Sequence, residues 1–299
     1  MEKEQNKKKK KTGLSKKFFI RFWIAFAVFL LCVVLFFAGI EMELFGPMPS
    51  FEELENPKSM LASEVYSADG ELLGKYYFEN RSNIHYSDLS PYLIEALIAT
   101  EDIRFYEHSG VDFRALGRAF KGMTTGDKKG GASTVTQQLV KNLFPRGKLS
   151  KSELIIRKIQ EWVTAVKVER SYTKEEIIAM YFNTIDFGSQ SFGIKSAAWT
   201  FFHKEPKELN MQEAALLVGV LNAPTRYSPV INPDRAIQRR NVVLSQMKKY
   251  GYIDAPVYDS VQQLPLDVSL YSIQDQNAGL APYFREYPQS LLPGRRTRF

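Results

Sequence analysis

The sequence predicts a mainly α-helical exported domain, with a small β element at its entrance and one N-terminal transmembrane helix. Three observations support this. An uncharged apolar run, FWIAFAVFLLCVVLFFAGI, spans Phe22 to Ile40. Beyond it, helix-opening signals head one apolar-periodic stretch after another, and β-prone residues concentrate in a single short hairpin. No internal repeat is present, so one continuous domain of layered helices is the simplest architecture.

Residues 1–21 form a tail with nine Lys and Arg against two Glu, a local charge of +7. The run 22–40 that follows has nineteen residues. At ~1.5 Å per helical residue it covers roughly the ~30 Å hydrocarbon core of a bilayer. It is longer than a signal-peptide core of about 7–15 residues, and the EMELFGPMP after it lacks an A-x-A cleavage pattern, so an uncleaved anchor is expected. Lys-rich on one side and acidic on the other, it should keep the tail in the cytoplasm and place the rest outside the cytoplasmic membrane as a single-pass protein. The only cysteine, Cys32, lies inside this run.

A linker is expected over 41–60, a folded domain over 61–250 and a C-terminal linker over 251–299. Within the domain, Glu64 to Ser67 and Leu72 to Phe78 are β-prone and flank Asp69-Gly70, a tight-turn pair. Ser90-Pro91 supplies a cap and first turn for a helix running to about Thr100. Helical patterns cover 151–170 and 173–183. Asn210 with Glu213 makes a capping box before AALLVGVL, and Asn232-Pro233 opens a helix to about Tyr250. Between residues 113 and 123, Phe113, Leu116, Phe120 and Met123 fall on one helical face bordered by Arg114, Arg118 and Lys121. That pattern suits either a helix lying in a bilayer interface or an ordinary amphipathic surface helix. The Gly- and Lys-rich 124–131 beside it reads as a mobile loop.

The net charge of +7 invites a nucleic-acid reading, but the tail accounts for all of it. After Arg21 the basic and acidic residues balance at 31 each. The balance is locally uneven, at −8 over 41–99 and +6 over 100–170, so an anionic ligand is expected in the latter block and no nucleic acid is expected.

Three segments in that block concentrate chemistry. EDIRFYEHSGVD, Glu101 to Asp112, places ionisable groups at the end of an apolar helix. If the helix continues, Glu101, Phe105 and His108 share a face, and a carboxylate there is a candidate general base or a solvated cap. In GASTVTQQLVKN, Gly131 to Asn142, a helix capped by Ser133 would line one face with Thr134, Gln138 and Lys141, Gln137 nearby. Hydroxyls and amides match sugar oxygens and Lys matches phosphate, although a polar surface helix would look similar. In RKIQEW, Arg157 and Lys158 converge on Glu161, either as a helical ion pair or as a diphosphate site. Arg239 and Arg240 read as surface charges. Gly-rich phosphate loops and paired-Cys or H-E-x-x-H zinc patterns are absent, and the three histidines (His85, His108, His203) are scattered. Ser245 to Lys248 and Lys11 to Gly13 match isolated β-lactam-enzyme motifs, but in the wrong order and on opposite sides of the membrane.

In order and spacing these segments resemble the five motifs of the peptidoglycan glycosyltransferases, glycosyltransferase family 51. They read here EDIRFYEHSG, GASTVTQQ, RKIQE, IIAMYFN and RRNVVL, across about residues 60–250. The fourth departs from the family pattern, with Ala179 where a Glu is usual and Phe182 where a Leu is usual. SEVYSADGELLGKYY and APYFREY resemble class A penicillin-binding proteins, in which the latter stretch leads into a transpeptidase domain. Here twelve residues follow Tyr287, so that domain is expected to be absent.

The resemblance implies a lysozyme-like, mainly helical glycosyltransferase domain with a membrane-touching part around 113–123. It implies that Glu101 deprotonates the acceptor sugar hydroxyl and that Glu161 positions the diphosphate end of the site. Lys141, Arg157 and Lys158 would stabilise the departing diphosphate, with or without a divalent cation such as Mg or Mn. Asp102, Phe105, His108, Ser133, Thr134, Thr136, Gln137, Gln138 and Asn142 would line the substrate site. The implied partners are lipid II, undecaprenyl-diphosphate-linked glycan, the membrane and other cell-wall synthesis proteins. A lysozyme-like hydrolase or lytic transglycosylase and a non-catalytic lipid II-binding scaffold remain as alternatives.

Overall fold

The computed structural model describes residues 16–42, 44, 63–66, 72–76, 84–126, 131–144 and 150–273. The Asp69-Gly70 turn, the 41–60 linker apart from its first residues, the centre of the Gly/Lys loop and the APYFREY stretch therefore lie outside the described residues. The chain divides into two units, residues 1–48 and 49–299. In the first, α1 (Lys16–Glu41) extends the expected span toward the tail. It has a mean hydropathy of 2.8 over its most apolar window, long and apolar enough to cross a membrane.

The second unit begins with β1 (Ser63–Tyr66) and β2 (Leu72–Tyr76), an antiparallel pair in which Ser63 faces Tyr76 and Glu64 faces Lys75. The remainder is helical: α2 (Pro91–Glu101), α3 (Phe113–Thr125), α4 (Val135–Leu143), α5 (Lys151–Ser171), α6 (Lys174–Thr184), α7 (Ile194–Phe202), α8 (Met211–Leu221), α9 (Pro233–Lys249) and α10 (Ala255–Val261). Caps explain several boundaries. Ser150, Thr173 and Asn210 each accept a hydrogen bond from the backbone N–H of the third residue of their helix, a Glu whose carboxylate accepts in turn from the cap residue's own N–H. Asp112 caps α3 by accepting from the Ala115 N–H at 2.9 Å, and it also pairs with Arg104. Burial alone would push its carboxyl up, but these bonds outweigh burial and hold it below the usual carboxylate range.

One apolar core joins α2, α8 and α9 to α4, α6 and α7, through residues such as Leu93, Leu97, Leu139, Tyr181, Phe201, Leu217 and Val243. Gly110 shows how closely the elements approach. Its φ is +88°, and a Cβ there would sit 2.7 Å from the backbone carbonyl of Ala165 in α5. Gly110→Ala combines overpacking, about 1–3 kcal/mol, with a left-handed backbone cost of about 1–2 kcal/mol. The expected result is a melting temperature lower by about 5–10 °C, read by circular dichroism; an unchanged melt would refute the close approach.

The C-terminal end of this unit corrects an expectation. Residues 251–273, read from sequence as linker, pack on the core through Tyr252, Tyr258, Val261, Leu266, Val268 and Tyr271. Arg240, read as a surface charge, is 1% exposed. Its guanidinium donates to the carbonyls of Leu264 at 2.9 Å and Gln262 at 3.0 Å. Farther on, the Ser272 N–H donates to the Thr200 carbonyl, and His203 lies 2.7 Å from the Ser272 hydroxyl. These contacts strap the segment across α7 and α9.

Candidate active site

The site is organised around α4. Its cap is Thr134 rather than the expected Ser133: the Thr134 hydroxyl accepts from the Gln137 N–H and donates to the Gly110 carbonyl at 2.8 Å. That leaves Ser133 outside the helix and turns the two adjacent glutamines of α4 to different neighbours.

Gln138 faces Glu101, the last residue of α2. Its Nε2 donates to Glu101 Oε2 at 2.8 Å, and its Oε1 accepts from the Tyr181 hydroxyl at 3.1 Å. The phenol of Tyr181 is raised well above its ordinary range, first by burial and then by the nearby Glu101 charge. On the other side, a terminal nitrogen of Arg239 lies 3.9 Å from Glu101 Oε1. From sequence alone Arg239 is expected at the surface, yet its side chain is mostly covered. It reaches the site because it crosses α8 at Gly219, where an added Cβ would sit 3.2 Å from Arg239 Cγ.

Gln137 belongs to a second cluster. Lys158 Nζ on α5 donates to Gln137 Oε1 at 3.2 Å, Ser133 Oγ at 3.1 Å and Glu161 Oε2 at 3.1 Å. Glu161 is buried, whereas Lys158 is about one third exposed, so the ammonium stands between a buried carboxylate and the outside. Arg157 donates to Gln160 Oε1 at 3.2 Å, one helical step from the expected pairing with Glu161. Lys141 is exposed and Asn142 half-buried at the end of α4.

The remaining expected site residues are held in the protein itself. The α2 helix ends at Glu101, so Glu101, Phe105 and His108 do not share a helical face. Asp102 terminates the helix instead, accepting from the Val135 N–H and lying 3.0 Å from His108 Nε2. Phe105 is fully buried, with Lys174 Nζ 4.2 Å above its ring. Thr136, also fully buried, donates to Glu169, which pairs with Lys174. Lys174 in turn donates to the His108 carbonyl at 2.8 Å. Asp102, Phe105, Thr134 and Thr136 thus clamp the first two motifs together beneath the site. In the fourth motif Ala179 is buried, and Asn183 brackets Ile84 by accepting from its N–H and donating to its carbonyl.

Among the described residues no group of three or more His, Cys, Asp and Glu is placed to hold a metal ion. The side chains do not by themselves form a metal centre there. Chemically, the arrangement offers a partly exposed carboxylate that accepts from Gln138 and, bonded to the adjacent Gln137, the Lys158 ammonium. It suits removal of a proton at one end and stabilisation of an anion at the other.

The chain belongs to the transglycosylase family, whose model matches residues 69–248. Among its relatives is penicillin-binding protein 1A of Pseudomonas aeruginosa, 36% identical over 90% of this chain and 32% of that protein. The protein of that name from Escherichia coli is 35% identical over 93% and 32%. The Aquifex aeolicus one is 38% identical over 87% and 35%. What the chain carries is therefore a class A penicillin-binding protein glycosyltransferase domain, and it spans about a third of the length of these curated relatives. A crystal structure of penicillin-binding protein 1A from Haemophilus influenzae also matches, with TM-score 0.42 and 24% identity, covering 77% of this chain and 23% of that one.

Proposed function

We propose that the chain is a peptidoglycan glycosyltransferase that polymerises lipid II into β-1,4 glycan strands with release of undecaprenyl diphosphate. The observation that carries this reading is the pairing of Gln138 with Glu101 and of Gln137 with Lys158 and Glu161. One helix thereby places a base and a cation cluster side by side. Glu101 takes the proton of the acceptor 4-hydroxyl as that oxygen attacks the donor anomeric carbon. The bond from that carbon to the diphosphate breaks, the electron pair leaves with the diphosphate, and the anomeric configuration inverts. Lys158, with Arg157 and Lys141, meets the charge that grows on the departing diphosphate, and Glu161 holds the Lys158 ammonium in place. Ser133, Gln138 and Asn142 hold sugar and phosphate oxygens, whereas Gln137, expected among them, is buried with its amide donating to the Gly110 carbonyl and accepting from Lys158, and so steadies that ammonium instead. Asp102, Phe105, His108, Thr134 and Thr136 fix the frame on which these groups stand. A divalent ion travelling with the diphosphate would take its ligands chiefly from phosphate oxygens. The glycosyltransferase domain extends to about residue 273, and its lysozyme-like topology orients both clusters.

The proposed location is the outer face of the cytoplasmic membrane, where α1 confines the domain beside lipid-linked donor and acceptor and near other cell-wall synthesis proteins. In support, Phe113, Phe120 and Met123 on α3 are each more than 70% exposed, beside cations such as Arg114. In a version starting at Pro49, Phe120→Glu is expected to lower liposome association about tenfold or more by flotation, since a charge replaces a large apolar anchor. Unchanged flotation would remove the membrane role of α3.

The function is tested by giving the full chain labelled lipid II in detergent and following product length. Long strands are expected. Shortening of preformed glycan would make the protein a hydrolase, and retention of lipid II without products would make it a binding scaffold.

A further inference from the structure

We infer that Tyr181 is a positioning residue: through the Gln138 amide it commits one oxygen of Glu101, so that the acceptor proton is taken by Oε1. This rests on the reading of Glu101 as the base. Tyr181 belongs to the fourth motif and does not itself face the polar site; it is fully buried on α6.

The argument follows donors and acceptors. An ionised carboxylate only accepts, so the Gln138 group facing Glu101 Oε2 at 2.8 Å must be the amide NH2. Its carbonyl then faces the Tyr181 hydroxyl, 3.1 Å away, which donates to it. Burial keeps that phenol protonated, so the donor persists. At the second oxygen, Oε1, the Arg239 nitrogen stands 3.9 Å away, beyond direct hydrogen-bond distance. Accepting capacity therefore remains on Oε1. When the substrate proton arrives, Oε1 becomes a hydroxyl while Oε2 continues to accept from Gln138, and neither group has to rotate. Without the Tyr181 hydroxyl the amide is held from one side only. It can turn its carbonyl toward the newly neutral acid, and the carboxyl can swing with it. The cost falls on the chemical step rather than on substrate binding.

The test measures initial polymerisation rates of the full chain on lipid II in detergent, with kcat and KM separated and the pH profile recorded. Tyr181→Phe is expected to lower kcat about tenfold, with KM within about twofold, and to move the acidic limb of the profile to higher pH. In a Gln138→Ala background the same substitution is expected to add less than about twofold, because the relay is already cut. An equal loss in both backgrounds, a loss confined to KM, or no loss at all would overturn the inference. Thermal melts check folding, and p-aminophenylalanine at position 181, which restores a donor, should recover kcat to within about threefold. Failure of that rescue in a folded protein also overturns it. Glu101→Gln, measured in parallel, separates the two readings. If it stays active the base assignment fails, whereas an inactive Glu101→Gln with a wild-type Tyr181→Phe defeats only the relay.

Discussion

Glu101→Gln is expected to abolish strand synthesis in a protein that still folds. The substituted amide can still accept from Gln138 through its carbonyl oxygen, so the bond at 2.8 Å has a neutral counterpart. What disappears is the group that takes the proton. Losing a positioned general base costs about 10²- to 10⁴-fold in rate. The ion pair with Arg239 at 3.9 Å is also lost, but at that distance it adds little to stability. The measurement is initial polymerisation rate beside a thermal melt. A residual rate within tenfold of wild type, with the melt unchanged, would sink the assignment of Glu101.

Lys158→Met should be nearly as severe, by a different route. The ammonium touches Ser133, Gln137 and Glu161 and is the cation common to α5 and the start of α4. If it meets the charge that develops on the leaving diphosphate, its removal costs about 10²- to 10³-fold in kcat, the scale of losing one electrostatic stabiliser. Stability also suffers, because a cation is withdrawn from beside the buried Glu161 carboxylate; hydrogen bonds to charged groups contribute about 1.5–3 kcal/mol, at the lower end here because Lys158 is partly exposed. Lys158→Arg separates the two effects. It keeps the charge and should restore the fold more fully than the rate, since a planar guanidinium cannot reproduce all three contacts of a compact ammonium. Full activity in Lys158→Met would show that the diphosphate is met elsewhere.

Much of the helical framework was legible because it is written in local signals. Asn210 with Glu213, and Pro233 after Asn232, mark their helix starts within a residue. The chemistry of the second and third motifs was equally legible as a set of residue types. Their division was not. Thr134 takes the cap, donating to the carbonyl of Gly110, distant in sequence, and the same carbonyl accepts the Gln137 amide and so holds that glutamine on the Lys158 side, away from Glu101. The break after Glu101 has a similar origin, since Asp102 is drawn to the Val135 N–H across the core. Arg240 could have been read differently. It lies four residues after Ala236 and three before Val243, both buried, so its helical face was apparent even though its charge argued for solvent. Arg239 carried no such signal, because only the proximity of Gly219 opens its path to Glu101. Tyr181 reads as a core aromatic, and its hydroxyl gains a role only from the fold.

The strap formed by residues 251–273 bears on how such a domain can be recombined with others. The recognisable family region stops at residue 248, yet Arg240 inside it depends on carbonyls at 262 and 264. A graft junction placed at the end of that region would bury a guanidinium whose acceptors had been cut away. A junction placed after Ile273 would leave the hydrogen-bonded and apolar anchorage whole, Ser272 included. The transferable module is therefore longer than its motifs, and its last stretch acts as a built-in lock that any chimera must inherit.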